Sequence, residues 1–101
     1  MLAIKFVMPM GATRDLYRSS IPYLSIDEGD PVAVRWDTMW RDLLPGEHLL
    51  RVHVEFASGP FVGQRSGVAE RAVGIVGSEL VSIEYRAPRA PTFHGMIVDA
   101  A

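Results

Sequence analysis

The sequence predicts an all-β chain that folds as an antiparallel β-sandwich of about seven strands. Short runs rich in Val and Ile alternate apolar and polar residues, which is typical of half-buried strands. Pro and Gly residues separate these runs at spacings of about ten residues, as in sandwiches. A chain of 101 residues with a hydrophobic fraction of 49% is long enough for one domain with its own core.

Charge and composition exclude several classes of protein. The net charge is −2 and the Arg residues are scattered, so we expect no nucleic-acid binding. The absence of cysteine removes disulfides and Cys-ligated zinc together. Lys5 interrupts the apolar N-terminal run, which is therefore neither a signal peptide nor a membrane span. We expect a cytoplasmic chain, or an exported one if the sequence was cut from a longer protein.

The first half of the chain begins with an alternating strand over residues 2–8, which ends at Pro9. Residues 12–20 are expected to form a loop, and residues 21–26 the next strand. A hairpin turn at 27–30, with positive φ expected at Gly29, leads into a return strand over 31–36. Residues 37–43 either continue this strand past a kink or form a separate short strand, and we favour the separate strand.

The clearest strand follows the Pro45-Gly46 turn. Its apolar residues all point to one face and are Leu50, Val52, Val54 and Phe56. The residues between them point to the other face and are Arg51, His53 and Glu55. A slip by one residue would expose all the apolar side chains, so this strand fixes the register of its neighbours.

The last third of the chain is predicted to contain a hairpin and a tail. Gly and Pro residues make 57–67 a surface loop. Strands over 68–76 and 79–86 then pair through a turn at 77–78. We expect the sandwich domain to span residues 1–87, followed by a Pro-containing tail over 88–101. The apolar run at 96–98 makes this tail a candidate edge strand for a neighbouring sheet, and we expect its removal to leave the sandwich folded.

The strand spacing is that of an immunoglobulin-like sandwich, although the absence of cysteine excludes an antibody-type domain. Two segments, Ile26-Asp27-Glu28-Gly29-Asp30-Pro31-Val32 and Leu44-Pro45-Gly46-Glu47-His48-Leu49-Leu50-Arg51-Val52, carry a family pattern. This pattern resembles that of PEGA-like small bacterial sandwich modules. The resemblance covers residues 21–56 and implies a non-catalytic module. The aromatic segment 36–43 and the long loop at 57–67 depart from it.

Three aromatic residues form the candidate interaction surface: Trp36, Trp40 and Phe61. If residues 36–40 formed one extended strand, both indoles would share a face and could provide a platform for a sugar or a protein. The alternative is that one of the two indoles fills the core, which leaves the other available. Phe61 is a candidate anchor for its loop.

Side chains of the types found in catalytic and metal sites are present, but they follow no recognisable motif. His53 and Glu55 share a strand face at a spacing that could present two metal ligands, with His48 nearby. No HExxH motif or Gly-x-Ser-x-Gly elbow occurs, so a small hydrolase or a metal-binding protein is the less favoured alternative. We expect His53 to face solvent beside a cross-strand charge, and His48 to bond a backbone group near the turn.

These observations favour a non-enzymatic interaction or structural module without a cofactor. A carbohydrate-binding module that uses Trp36 and Trp40 is the alternative. The apolar tail, the aromatic segment and the low net charge predict a homodimer or a bound protein partner that pairs through an edge strand.

Overall fold

The computed structural model describes residues 1–100, which form two sheets of four strands each. The elements in chain order are β1 (Leu2–Val7), α1 (Thr13–Tyr17), β2 (Ser20–Ile26), β3 (Val32–Ala33), β4 (Thr38–Arg41), β5 (Gly46–Phe56), β6 (Ser66–Ile75), β7 (Val81–Arg86) and β8 (Met96–Asp99). The all-β class and the β-sandwich predicted from the sequence are confirmed, with one strand more than expected.

The first sheet has the strand order β4-β1-β7-β8 and contains one parallel pair. Strands β1 and β7 run in the same direction, from Leu2 opposite Val81 to Val7 opposite Arg86. The prediction that all strands are antiparallel is therefore wrong at this pair, and so is the predicted hairpin of β6 with β7. The turn at Gly77 instead carries the chain from one sheet to the other. The residues of a turn do not determine whether the two strands they join pair in one sheet or lie in different sheets, which is why the predicted hairpin is wrong.

The second sheet has the order β3-β2-β5-β6, and all its pairs are antiparallel. Strand β5 lies between β2 and β6, and its four alternating apolar side chains are buried, as predicted. They meet the inward residues of β1 and β7, among them Ile4 and Ile83, in one hydrophobic cluster. Burial of each such side chain stabilises the fold by about 1.5–3 kcal/mol.

The connection from β2 to β4 differs from the predicted hairpin. Positive φ falls at Asp27 (52°) and Glu28 (63°) rather than at Gly29. The Gly29 N–H donates to the Ile26 carbonyl over 3.0 Å, so Asp27 and Glu28 are the central residues of a mirror-image turn. Strand β3 spans two residues instead of 31–36, because the chain then leaves the sheet and turns Trp36 towards the core.

Helix α1 lies where a loop was expected, and a tyrosine accounts for its position. Tyr17 is fully buried, and its hydroxyl donates to the Pro88 carbonyl over 2.5 Å. Its ring packs 5.3 Å from the ring of Phe56. Burial raises the pKa of Tyr17 to about 12, so the hydroxyl stays protonated and can donate. Within residues 1–100, no helix is long and apolar enough to cross a membrane.

The C-terminal segment forms the edge strand β8 of the first sheet. β8 pairs with β7, and Arg71 of β6 reaches across to the Ile97 carbonyl (3.3 Å) and the Asp99 carboxylate (2.7 Å). The segment before β8 is held as well, since Gly95 donates to the Val68 carbonyl over 3.1 Å. These contacts indicate that the segment contributes to stability, while the expectation that its removal leaves the sandwich folded stays a prediction.

A β-bulge in β6 lies where this strand contacts Tyr85 of β7 and the segment before β8. The register of β5 and β6 shifts between Val52 and Val54, where Gly67 has a φ of 55°. The Tyr85 hydroxyl donates to the Gly67 carbonyl over 2.5 Å. A Cβ atom at Gly95 would lie 2.5 Å from the Tyr85 ring, so glycine is required there.

Candidate functional site

The outer edge of β4 is the candidate functional site. β4 pairs with β1 alone within residues 1–100, so one side of this strand carries no neighbouring strand. Trp40 lies opposite Ala3 on the outer face of the sheet and is 61% exposed. Met39 points the other way and packs against the core. This site therefore combines a large exposed aromatic side chain with an open strand edge.

The hydrogen bonds on either side of β1 show which peptide groups of β4 face outwards. The Phe6 N–H donates to the Asp37 carbonyl over 3.0 Å. Hydrogen bonding in an antiparallel pair alternates along the strand, so residues 37, 39 and 41 face β1 while Thr38 and Trp40 face away. On the other side of β1, the Val7 carbonyl accepts from Ala87, directly after β7. Odd-numbered residues of β1 therefore face β7 and even-numbered residues face β4, which fits this alternation.

One of the outward N–H groups is already occupied. The Asp37 carboxylate accepts from the Thr38 N–H over 2.8 Å, which blocks that end of the edge. Among residues 1–100, the amide and carbonyl of Trp40 have no such side-chain partner. The open part of the edge is therefore centred on Trp40.

Trp36 occupies a different environment from Trp40. Its indole Nε1–H donates to the Ser20 carbonyl over 3.1 Å, and its ring lies edge-on to Tyr17 with centroids 5.9 Å apart. Because β4 begins at Thr38, residues 36–40 do not form one extended strand. The two indoles consequently do not share a face, and the platform that a single strand over 36–40 would give is not formed. Trp36 packs against the core instead, which agrees with the alternative that one indole fills it.

Phe61 lies in the long loop before β6, and its ring packs 5.7 Å from the ring of Phe56. It is half-buried, and it belongs to the chain of aromatic rings that runs through Phe56 and Tyr17 to Trp36. The three aromatic residues singled out in the sequence are thus not brought together. Of these three residues, only Trp40 lies on the outer face of the first sheet.

A hydrogen bond between the side chains of His48 and Asp27 connects the beginning of β5 to the turn after β2. The His48 ring bonds the Asp27 carboxylate through Nδ1 (2.5 Å) and the Leu44 carbonyl through Nε2 (2.6 Å). Asp27 also accepts from the Leu49 N–H over 2.8 Å. The backbone bond predicted for His48 is confirmed. The hydrogen bond to Leu44, followed by that to Asp27, raises the pKa of His48, and the hydrogen bond from His48 lowers the pKa of Asp27.

His53 corrects the expectation of a solvent-facing histidine. It lies on the outer face of β5 but is only 6% exposed, because Tyr23 of β2 stacks on it with centroids 5.1 Å apart. Its Nε2 bonds Glu55 of the same strand over 2.7 Å. Among residues 1–100, no three side chains of the types that ligate metals are grouped together.

Comparisons of this chain with protein-family models, with curated proteins and with solved structures give no match. The resemblance to PEGA-like modules and the immunoglobulin-like strand arrangement therefore stay predictions.

Proposed function

We propose that this chain is a non-enzymatic interaction module whose β4 edge pairs with the β4 edge of a second copy. The observation that supports this proposal most directly is the outward amide and carbonyl of Trp40, next to an indole that is 61% exposed. Main-chain hydrogen bonds along an open edge provide affinity without a pocket. Large aromatic side chains at the centre of a contact commonly dominate its binding energy.

The sequence of β4 is compatible with pairing to itself about a two-fold axis. If the axis passes between two Trp40 residues, each donates to the other, and their Cα atoms lie about 5.5 Å apart. This register places Thr38 opposite Asp42 and Met39 opposite Arg41, so no like charges face each other. Two-fold dimers are the commonest closed assemblies, and each two-fold contact uses one surface twice.

The test is the mass of the chain in solution, measured by sedimentation equilibrium over a wide concentration range. We expect a reversible dimer for the wild type. Trp40→Lys should yield a monomer, because it places two ammonium groups directly opposite each other and removes the indole. Trp40→Ala should weaken the dimer without introducing repulsion, so its mass should lie between these two cases at intermediate concentrations.

Val76→Lys is the matched control. Val76 is 65% exposed, which is close to the exposure of Trp40, but it lies in the turn between β6 and β7. This variant should dimerise like the wild type. A wild-type mass of one chain at every concentration, or a Trp40→Lys variant that still dimerises, would contradict the proposal.

A further inference from the structure

Two adjoining clefts lie at the end of the sandwich where β1 leaves its sheet. One has a volume of about 380 Å³ and the other about 350 Å³, and both are lined by Val7, Met8 and Met10. Each volume is within the range of about 300–1,000 Å³ that is usual for ligand sites. Met10 is 84% exposed, and Trp36 forms part of the first cleft. We call these two clefts together the methionine clefts.

The charged residues that line the methionine clefts are all cations. Lys5 and Arg14 line the first cleft, and Arg86 and Arg89 line the second, with no carboxylate lining either. Arg86 is paired with Glu84 over 2.5 Å. Lys5, Arg14 and Arg89 form no ion pair within residues 1–100. Positive charge is thus concentrated here although the whole chain has a net charge of −2.

We infer that the methionine clefts bind an acidic peptide segment whose central apolar side chains contact Met8 and Met10. Methionine side chains are flexible and polarisable, so a surface built from them adapts to apolar side chains of different shapes. Lys5, Arg14 and Arg89 would face the carboxylates on both sides of the apolar residues. This charge complementarity identifies the occupant as an acidic segment rather than a neutral one.

The shape and position of the clefts favour a peptide over two other anionic partners. A lipid bilayer requires apolar side chains that protrude, whereas Met8 and Trp36 are half-buried and only Met10 stands clear. Single-stranded nucleic acid requires exposed aromatic faces for stacking, and Trp36 packs against Tyr17 instead. The site is separate from the open edge at Trp40, so this inference does not depend on the proposed dimer.

The probe is a fluorescein-labelled peptide of sequence Glu-Glu-Leu-Phe-Glu-Glu, and binding is measured by fluorescence anisotropy. Two control peptides separate charge from apolar contact: one carries Gln in place of Glu, and the other Ser in place of Leu and Phe. We expect saturable binding of the first peptide that weakens with salt, and much weaker binding of both controls. Equal binding of the Gln peptide would overturn the role assigned to the cations.

Protein variants locate the binding site. The double variant Arg14→Glu and Arg89→Glu should weaken binding by at least about fivefold, since each reversal replaces an attraction with a repulsion. Arg65→Glu is the control, because Arg65 lines neither cleft and also forms no ion pair within residues 1–100. Trp40→Lys should bind the peptide like the wild type, which keeps this test distinct from that of the dimer.

A second readout comes from Trp36, which is the sole remaining indole in a Trp40→Phe variant. Addition of the unlabelled acidic peptide should change the emission of Trp36, since this residue lines the first cleft. Vesicles of phosphatidylserine are the competing probe. Binding to these vesicles without binding to the peptide, or peptide binding that the Arg14→Glu and Arg89→Glu variant retains in full, would refute the inference.

Discussion

The hydrogen bond of Tyr85 to Gly67 provides a sharp test of the packing between the two sheets. Tyr85 is fully buried, and burial raises the pKa of its hydroxyl, which is therefore a neutral donor. The Tyr85→Phe substitution keeps the ring and removes only the oxygen. The carbonyl of Gly67, itself in a buried part of β6, then loses this donor.

The magnitude follows from the burial of the acceptor. Removal of one partner from a buried hydrogen bond costs about 1–3 kcal/mol, because the remaining group pays its full desolvation penalty. A loss of 1 kcal/mol lowers the melting temperature of a domain of this size by roughly 4–8 °C. We therefore expect the melting temperature of Tyr85→Phe to fall by about 8–16 °C for a loss of about 2 kcal/mol.

The control is Tyr23→Phe. Tyr23 stacks on His53 at the outer face of the other sheet, and its hydroxyl has no hydrogen-bond partner within residues 1–100. This substitution should change stability by no more than about 0.5 kcal/mol. The assay is thermal unfolding followed by circular dichroism, with urea unfolding as a check. If Tyr85→Phe melted together with the wild type, the contact between β7 and the bulge of β6 would be wrong.

Three further predictions concern other parts of the fold. Removal of residues 96–101 should lower the melting temperature in thermal unfolding, because β7 loses a paired strand and Arg71 loses both its acceptors; an unchanged melt would refute the placement of β8. Val52→Asp should abolish the cooperative melt seen by circular dichroism, since Val52 is 1% exposed and a carboxylate there has no partner. The tie between His48 and Asp27 should stabilise the fold most between about pH 4 and 6.5. The contribution of His48, whose pKa is raised, is lost as the pH rises through that pKa, and that of Asp27, whose pKa is lowered, is lost as the pH falls through its own. The melting temperatures of wild type and His48→Gln should consequently differ more at pH 5.5 than at pH 8.5, and an equal difference would contradict the tie.

Strand faces could be predicted from the sequence because alternation is a local property. The inward side chains of β5 are those that the sequence predicts, including Val52 and Val54. Strand β4 also lies within residues 37–43, where the sequence predicts a separate short strand.

Strand partners could not be predicted in the same way, because pairing depends on contacts between distant residues. The parallel pairing of β1 with β7 joins residues about eighty positions apart in the sequence, and nothing near either segment specifies it. The position of the tail depends on Gly95, which lets the chain approach the Tyr85 ring, and on Arg71, which reaches β8 from the opposite sheet. Neither residue has a sequence signature that indicates this role.

For outward-facing residues, the sequence predicts the face of the strand but not the exposure of the side chain. Alternation placed His53 on the outer face, but Tyr23 of the neighbouring strand covers it there. The sequence marked both tryptophans, yet only the structure shows that Trp36 bonds Ser20 while Trp40 lies exposed. Whether an outward residue is available therefore depends on what its neighbours cover.

Two side chains, those of Asp37 and Trp40, determine how much of the β4 edge is open. Exposed strand edges in monomeric proteins are usually protected by charges, by proline or by short length. The carboxylate of Asp37, directly before β4, protects the Thr38 N–H. The next outward N–H belongs to Trp40, which has the largest exposed apolar side chain in the strand. Replacement of Asp37 by Ala would free the Thr38 N–H and should extend the edge available for pairing. A tighter Asp37→Ala dimer in sedimentation equilibrium would support the edge as the site of association, whereas a weaker dimer would show that Asp37 itself takes part in the contact.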